Sequence, residues 1–171
     1  MLRSDLVFLR PLEAEDLEFL YALENDPAVW SVSDTLAPVS RYTLRQYLDN
    51  AAADFHEVRQ LRLVLCATAT QEAVGTLDLF GFEPLHQRAG VGIMVMSRHQ
   101  RQGYARAALE LLQLYARQVL RLHQLHCTIA ADNTASLQLF KAAGYKRVGV
   151  RLEWLRTADG WQNAVEMQQL L

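Results

Sequence analysis

The sequence predicts a single α/β domain over residues 1–171, with one mixed, mostly antiparallel sheet, a central parallel strand pair and helices on both faces. Leucine and alanine alternate with other residues along Leu61–Ala67, which is typical of a strand. The stretch 89–96 is almost entirely apolar, as expected of a central strand that is covered on both sides. An amphipathic helix from Tyr104 then leads to another apolar stretch at 123–131. Strand–helix–strand connections of this kind join parallel strands, so these two strands should lie parallel.

The remaining elements follow from helix and strand signals in chain order. Pro11 should stop the first strand, because proline cannot donate to a strand ladder. Ser40 suits the position that caps a helix start, and Gly144 suits the left-handed position that ends one. We therefore also expect a strand at 6–10, helices at 14–24 and 41–53, a strand at 73–80, loops at 28–39 and 82–88, a short helix after Asp132, and a C-terminal hairpin that turns at Asp159 and Gly160.

The composition indicates a cytoplasmic protein. Apolar residues make up 51% of the chain and the net charge is -2, which gives no reason to expect a nucleic-acid partner. Cys66 and Cys127 each lie in an apolar run, which predicts buried thiols rather than a disulfide framework. No basic start precedes an apolar stretch, and no run of about 18 apolar residues occurs. We therefore expect neither a signal peptide nor contact with a membrane.

The junction between the central strand and the long helix carries the clearest functional pattern. Gln100, Gly103 and Ala105 stand there in the order Gln-x-x-Gly-x-Ala. The first amides of a helix have no partner within it, and with the helix dipole they bind anions. Small residues at this turn would let a phosphate approach the backbone. The junction therefore predicts a phosphate site, although small residues at a helix start also serve simple packing.

Two further stretches repeat patterns of a known family. From Asn133 to Tyr145 the chain fits Asn-x-x-(Ala/Ser)-x-x-x-(Tyr/Phe)-x-x-x-Gly-(Phe/Tyr). Together with the earlier junction, in this order and spacing, it resembles the acyl-CoA motifs of the GNAT superfamily of N-acetyltransferases. The opening Leu9-Arg10-Pro11-Leu12-Glu13-Ala14-Glu15-Asp16 resembles that of the branch that contains polyamine acetyltransferases and ribosomal-protein N-terminal acetyltransferases. The resemblance covers nearly the whole chain.

The resemblance implies the GNAT fold, in which the two central parallel strands splay apart, and acetyl-CoA as the co-substrate in the gap. The pantetheine arm would pair with the backbone at Met94 and Met96, and the pyrophosphate would rest on the helix-start amides. Arg101 and Arg106 either contact phosphate or form a solvated helix face. Asn133 would cap a helix, bond the pantetheine chain, or both. The residues assigned in this way to acetyl-CoA are Met94, Val95, Met96, Arg101, Gln102, Gly103, Tyr104, Ala105, Arg106, Asn133, Ser136 and Phe140.

Acetyl transfer needs a neutral amine, so a base must take a proton before or during attack. Glu83 and His86, in the predicted loop before the central strand, are candidates for this base, with Glu24 further back. Each of these would otherwise be an ordinary solvated side chain. Many members of the resembling family carry a tyrosine as general acid where this chain has Phe140, which cannot donate a proton. The resemblance then implies direct transfer in a ternary complex, aided by alignment and without a covalent cysteine intermediate.

The first third of the chain is rich in carboxylates, which favours a cationic acceptor. A polyamine or another small primary amine is the first expectation, and a protein N-terminus is the alternative. The same charges are also ordinary for surface helices. We expect Glu24, Trp30 and Glu83 to face the acceptor.

Other classes of function remain open in the sequence. A non-catalytic acyl-CoA sensor would share the same binding motifs. A nucleotide site is disfavoured, because the chain contains neither Gly-x-x-x-x-Gly-Lys-Ser/Thr nor Gly-x-Gly-x-x-Gly. His123 and His126 lie three residues apart without a third ligand of matching spacing, so we expect no metal site. A homo-oligomer is compatible with the sequence.

Overall fold

A computed structural model describes residues 2–27, 37–50 and 55–171. The strands within these residues are β1 (Val7–Pro11), β2 (Leu61–Ala67), β3 (Ala73–Glu83), β4 (Arg88–Val95), β5 (Gln124–Ala130), β6 (Lys146–Thr157) and β7 (Gly160–Leu170). The helices are α1 (Leu17–Glu24), α2 (Arg41–Asp49), α3 (Phe55–Val58), α4 (Tyr104–Gln118) and α5 (Thr134–Ala142). Short 3-10 turns precede α1 at Ala14–Asp16 and follow β4 at Ser97–His99.

The seven strands form one sheet in the order β1-β2-β3-β4-β5-β7-β6. Every neighbouring pair is antiparallel except β4 and β5, which are parallel. Helix α4 makes the connection between these two strands, as the strand–helix–strand order predicts. The predicted mixed sheet with a central parallel pair is therefore confirmed.

Helices cover both faces of this sheet. On one face, Leu77 and Leu79 of β3 belong to the main core together with Leu109 and Leu112 of α4. On the other face lie α1 and α2, which pack against each other. Successive side chains of a strand point to opposite faces, so β3 contributes leucines to the α4 side and Asp78 to the α1 side. We call these the α4 face and the α1 face.

Two predicted boundaries differ from the structure for identifiable reasons. The helix expected at 14–24 begins as a 3-10 turn, because Asp16 is held at 4% exposure by two hydrogen bonds of 2.7 Å from the Arg10 guanidinium. The loop expected at 82–88 is shorter. β3 continues to Glu83, since Phe82 is buried and stacks on Phe55 with 4.5 Å between ring centroids.

Several local signals behave as the sequence predicts. The Ser40 side chain caps α2 by accepting the Thr43 N–H at 3.1 Å. The helix expected at 41–53 ends at Asp49, and 51–54 lie outside the described residues. Gly144 follows α5 with φ +94°, the left-handed conformation expected at a helix end. No helix in the described ranges is long and apolar enough to span a bilayer.

Candidate active site

The turn before α4 presents a continuous row of free amides. Arg101 has φ +60° and Gly103 has φ +83°, so the chain curls back just before the helix. None of the six N–H groups of residues 101–106 has a hydrogen-bond acceptor among the described residues. The first bond into the turn is the one that Ala107 N–H donates to the Gly103 carbonyl at 3.1 Å. Such a concave row at the start of a fifteen-residue helix fits an anion.

The cationic side chains near this turn are not equally free. Arg106 is paired with Glu110, one helical turn later, at 3.0 Å, and both are well exposed. Arg101 is exposed, and no described residue forms an ion pair with it. The geometry therefore gives Arg106 the solvated helix-face arrangement, while a phosphate contact by Arg101 stays a prediction.

The sheet is open next to this turn. β4 pairs with β5 only through Arg88, Ala89 and Gly90, whereas its pairing with β3 continues to Val95. From residue 91 to 95 the β5 side of β4 has no strand partner in the described part of the chain. An extended chain can pair with such an edge as an added strand. The expected splay agrees with this opening. The Met96 N–H donates to the Val74 carbonyl on the β3 side at 2.9 Å and does not face the gap, and the pairing of a pantetheine arm at Met94 and Val95 stays a prediction.

Asn133 lies at the far side of the gap, at the start of α5. Its Oδ1 accepts the Ser136 N–H at 3.1 Å and caps the helix. The Nδ2 group has no acceptor among the described residues. The cap role is thus observed, and the donor that a pantetheine amide would need remains available; this second role stays a prediction.

Phe140 lies in the core on the α4 face. It is 4% exposed, and its ring meets Tyr145 edge-on with 4.9 Å between centroids. Burial also raises the pKa of the Tyr145 phenol above its usual range. Neither ring therefore offers a readily released proton at neutral pH. The proximity of Phe140 to a bound thioester sulfur stays a prediction.

A buried ionic cluster occupies the α1 face. Arg62 donates to Glu24 at 2.7 Å and to Asp78 at 2.6 and 3.1 Å, and these three side chains are only 13–18% exposed. Asp78 lies directly opposite Gly92 of β4. Burial raises the pKa of Asp78 above its usual value in spite of Arg62. We refer to Glu24, Arg62 and Asp78 as the carboxylate cluster.

Glu83 and His86, the other candidate bases, lie away from the carboxylate cluster. Glu83 lies at the end of β3, five residues beyond Asp78, or roughly 16 Å along the strand. It pairs with Arg88 at the hairpin, at the opposite end of β4 from the turn of free amides at 101–106, which we call the phosphate turn. His86 is exposed in the four-residue turn between β3 and β4. Trp30 lies outside the described residues. The role of Glu83 as base stays a prediction.

A second polar group on the α1 face was missed by the sequence reading. Glu166 of β7 accepts from the Thr128 hydroxyl at 2.8 Å and pairs with Arg151 of β6 at 2.7 Å. His126 lies on the same face, one alternation before Thr128. The buried residues Leu125, Cys127 and Ile129 alternate in the sequence, and that alternation already places His126 and Thr128 on the opposite side.

The thiols and histidines do not form a reactive or metal-binding group. Cys66 and Cys127 are free and buried, and burial raises the pKa of Cys127 to about 12. Among the described residues, no group of three or more His, Cys, Asp and Glu side chains is arranged to hold a metal ion. A thiolate nucleophile at neutral pH is therefore disfavoured.

Known proteins resemble this chain in sequence. A family model described as an acetyltransferase (GNAT) domain matches residues 7–146. The spermidine N(1)-acetyltransferase of Escherichia coli (strain K12) is 26% identical over 164 residues, which cover 94% of this chain and 84% of that protein. The uncharacterized N-acetyltransferase YoaA of Bacillus subtilis (strain 168) is 24% identical over 155 residues, covering 91% and 88%.

Solved structures show the same fold. Spermidine N-acetyltransferase from Vibrio cholerae, in complex with CoA and spermine, matches with a TM-score of 0.87 at 23% identity and covers 98% of this chain and 96% of that one. A dodecameric structure of spermidine N-acetyltransferase from the same organism gives a TM-score of 0.81 at 24% identity, with 98% and 95% covered. The splayed pair β4–β5 therefore belongs to a fold that other acetyltransferases also have.

Proposed function

Because the chain belongs to the GNAT family of acetyltransferases, we propose that it transfers the acetyl group of acetyl-CoA to a primary amine of a polyamine. The main observation that supports acetyl-CoA as the co-substrate is the row of six free amides at the end of the open β4 edge. The acceptor is supported by the relatives named spermidine N(1)-acetyltransferase and by the neighbour bound to CoA and spermine. Like the dodecameric spermidine N-acetyltransferase from Vibrio cholerae, the protein would work as a homo-oligomer.

Backbone groups would do most of the work of binding acetyl-CoA. The amides of residues 101–106 would donate to the pyrophosphate, and Gly103 leaves the approach open because it has no side chain. The pantetheine arm would add to the free edge of β4 near Val95, and Asn133 Nδ2 would donate to it from the start of α5. Binding through main-chain donors needs no cationic side chain.

The acceptor would approach from the α1 face. The carboxylate cluster combines two carboxylates with one guanidinium, so it favours a cation next to Gly92. Gly92 gives β4 no side chain beyond its hydrogens on this face, whereas Gly90 is covered by the Phe80 ring. An amine nitrogen could therefore reach the thioester across the strand. Glu24 takes part through its bond to Arg62, which orients the cluster.

The transfer would be direct, within a ternary complex. The amine nitrogen attacks the carbonyl carbon, the new C–N bond forms, and the C–S bond breaks to release CoA. Alignment of the two substrates in one gap supplies much of the rate enhancement. The buried, protonated state of Cys127 argues against an acetyl-cysteine intermediate.

Release of free thiol from acetyl-CoA, measured over a panel of amines, tests the proposal. Spermidine and spermine should turn over with much higher kcat/KM than a monoamine or a peptide with a free N-terminus. Turnover confined to peptides would favour an N-terminal acetyltransferase instead. Tight acetyl-CoA binding without turnover of any amine would favour a sensor.

Two isosteric variants test the phosphate turn. Asn and Asp both tolerate a positive φ at position 103, but only Asp brings a negative charge to the free amides. Calorimetry should show that Gly103→Asp binds acetyl-CoA at least about tenfold more weakly than Gly103→Asn. Their melting temperatures should be similar. Equal affinities in the two variants would place the phosphates elsewhere.

A further inference from the structure

His126 lies at the closed end of the gap between β4 and β5. It is paired with Gly90, and this is the last pairing before the two strands separate. Its neighbours Leu125 and Cys127 are buried in the core against α4, so its side chain projects from the α1 face. The carboxylate cluster lies on this same face, next to β4. The imidazole is half-buried there.

β4 itself has no acid or base to offer beside this histidine. Residues 89–96 contain no ionisable side chain. A Cβ at Gly90 would lie 2.3 Å from the Phe80 ring, so that ring covers the strand at the level of His126. Asp78 is held by Arg62 opposite Gly92. Among the described residues of β3 and β4 at this level, none offers an unpaired proton acceptor, so β5 is the next place to look for one.

The charged groups around His126 come from three strands. Glu166 of β7 attracts the protonated imidazole, while Arg88 of β4 and Arg151 of β6 repel it. Arg151 also neutralises Glu166 through their 2.7 Å ion pair. Burial lowers the pKa of His126 below its usual value, and the two arginines lower it further against the effect of Glu166. The ring is thus neutral at pH 7 and has a free lone pair.

We propose that His126 is the proton acceptor of the acetyl transfer, an assignment that rests on the proposed function. An acetyl-CoA arm that runs from the phosphate turn along the open edge of β4 ends at the Gly90–His126 pair. As the amine nitrogen attacks, it becomes positively charged and strongly acidic. The imidazole takes this N–H proton. The C–S bond then breaks, and the imidazolium passes the proton to the departing thiolate, which restores neutral imidazole and leaves the acetylated amine and the CoA thiol.

This shuttle assigns both proton steps to one side chain. The nitrogen and the sulfur are bonded to the same carbon in the tetrahedral intermediate, so one ring can reach both. It also accounts for transfer without a phenol on the α4 face, where Phe140 has no proton to give. His126 would touch the reacting atoms and is in that sense catalytic.

The test compares His126→Gln with the control His123→Gln, three residues earlier, where the histidine is exposed at the start of the strand. His126→Gln should lower kcat for spermidine by about 100-fold or more, and should remove the ascending limb of kcat/KM that wild type shows below pH 6.5. Calorimetric affinity for CoA and the melting temperature should stay near those of wild type. His123→Gln should keep wild-type kinetics.

Two measurements separate catalysis from packing. Added imidazole should restore part of the activity of His126→Ala, whereas a role in packing alone would give no rescue. In NMR titrations of wild type, the resonance absent from His126→Gln should report a pKa below 6.5 that matches the kinetic limb.

Unchanged kcat and pH profile in His126→Gln, while wild type acetylates spermidine, would overturn the assignment and leave the proposed function standing. Loss of the limb in Glu83→Gln rather than His126→Gln would move the base to Glu83. If wild type acetylates no amine, the proposed function and this assignment fall together.

Discussion

Replacement of Arg62 by leucine should destabilise the fold strongly, because it leaves two buried carboxylates without their shared cation. The Arg62 side chain is 18% exposed and makes three charge-assisted bonds, one to Glu24 and two to Asp78. Its guanidinium also lies 5.6 Å from the Tyr47 ring centroid. Leucine would preserve part of the apolar contact while removing every one of these bonds.

The magnitude follows from burial. Removal of one partner from a buried ion pair costs about 3–5 kcal/mol. In a domain of this size, that corresponds to a fall in melting temperature of about 6–20 °C. The loss should depend on pH. Burial already raises the pKa of Asp78, and loss of Arg62 raises it further. When the pKa of a carboxyl is higher in the folded protein than in the unfolded chain, the folded protein loses stability as pH rises through the folded pKa. The variant should therefore recover stability on acidification.

Melting curves and urea unfolding of Arg62→Leu at pH 7 and pH 5 measure this effect. The control is Arg41→Leu, since Arg41 also makes a two-point pair with a carboxylate, Glu18, but both partners are exposed. The control should melt close to wild type at both pH values. A variant at Arg62 as stable as the control, or one that loses stability towards pH 5, would refute the reasoning about the buried cluster.

Two further outcomes follow from charge and packing at the site. The kcat/KM for spermidine should fall as ionic strength rises, while that for neutral amines should change less, because salt screens the attraction between the carboxylate cluster and a cation. If steady-state assays show no salt dependence for either class of amine, the charge-based preference is wrong. Phe140→Tyr should raise kcat by roughly threefold or less, since protonation of sulfur need not limit the rate. Phe140→Ala should lose about 3–5 kcal/mol of stability along with activity, because the ring is almost fully buried; a stable, fully active variant in melting and kinetic assays would place position 140 far from the sulfur.

Elements with a strong local signal were predictable from the sequence. The parallel pair β4–β5 follows from an apolar strand, an amphipathic helix and a second apolar strand in succession, and chirality leaves few alternatives. The caps at Ser40 and Asn133 were predictable because each depends on one side chain and the next turn of backbone. The turn of free amides before α4 belongs to the same class, since it depends on Gly103 and its neighbours in the sequence.

Features that depend on contacts across the sheet were not predictable. The bond from Arg62 to Glu24 joins residues 38 positions apart, and no local pattern indicates it. The expectation that Glu24 faces the acceptor stays a prediction. The end of β3 was placed too early because the stacking of Phe82 on Phe55 is a tertiary contact. His126 was considered only as a metal ligand, because its pairing with Gly90 joins residues 36 positions apart. Each of these features depends on a contact between residues that are far apart in the sequence, which a local pattern does not reveal.

Under the proposed role of His126, the C-terminal hairpin would add to the site a part that the family signature does not cover. The matched domain ends at residue 146, where β6 begins, while the charges that face His126 include Arg151 and Glu166 of the hairpin. β7 is also the antiparallel partner of β5 along its whole length. The hairpin therefore both pairs with the strand that holds His126 and contributes two of the three charges around its ring. Arg151 and Glu166 form an ion pair at 2.7 Å and have opposite effects on the pKa of His126. Replacement of Glu166 by a neutral residue should lower this pKa, and replacement of Arg151 by a neutral residue should raise it. Residues outside the acyl-CoA motifs would thus set the pKa of His126. Changes at those residues would leave the acyl-CoA motifs, and with them co-substrate binding, unaltered.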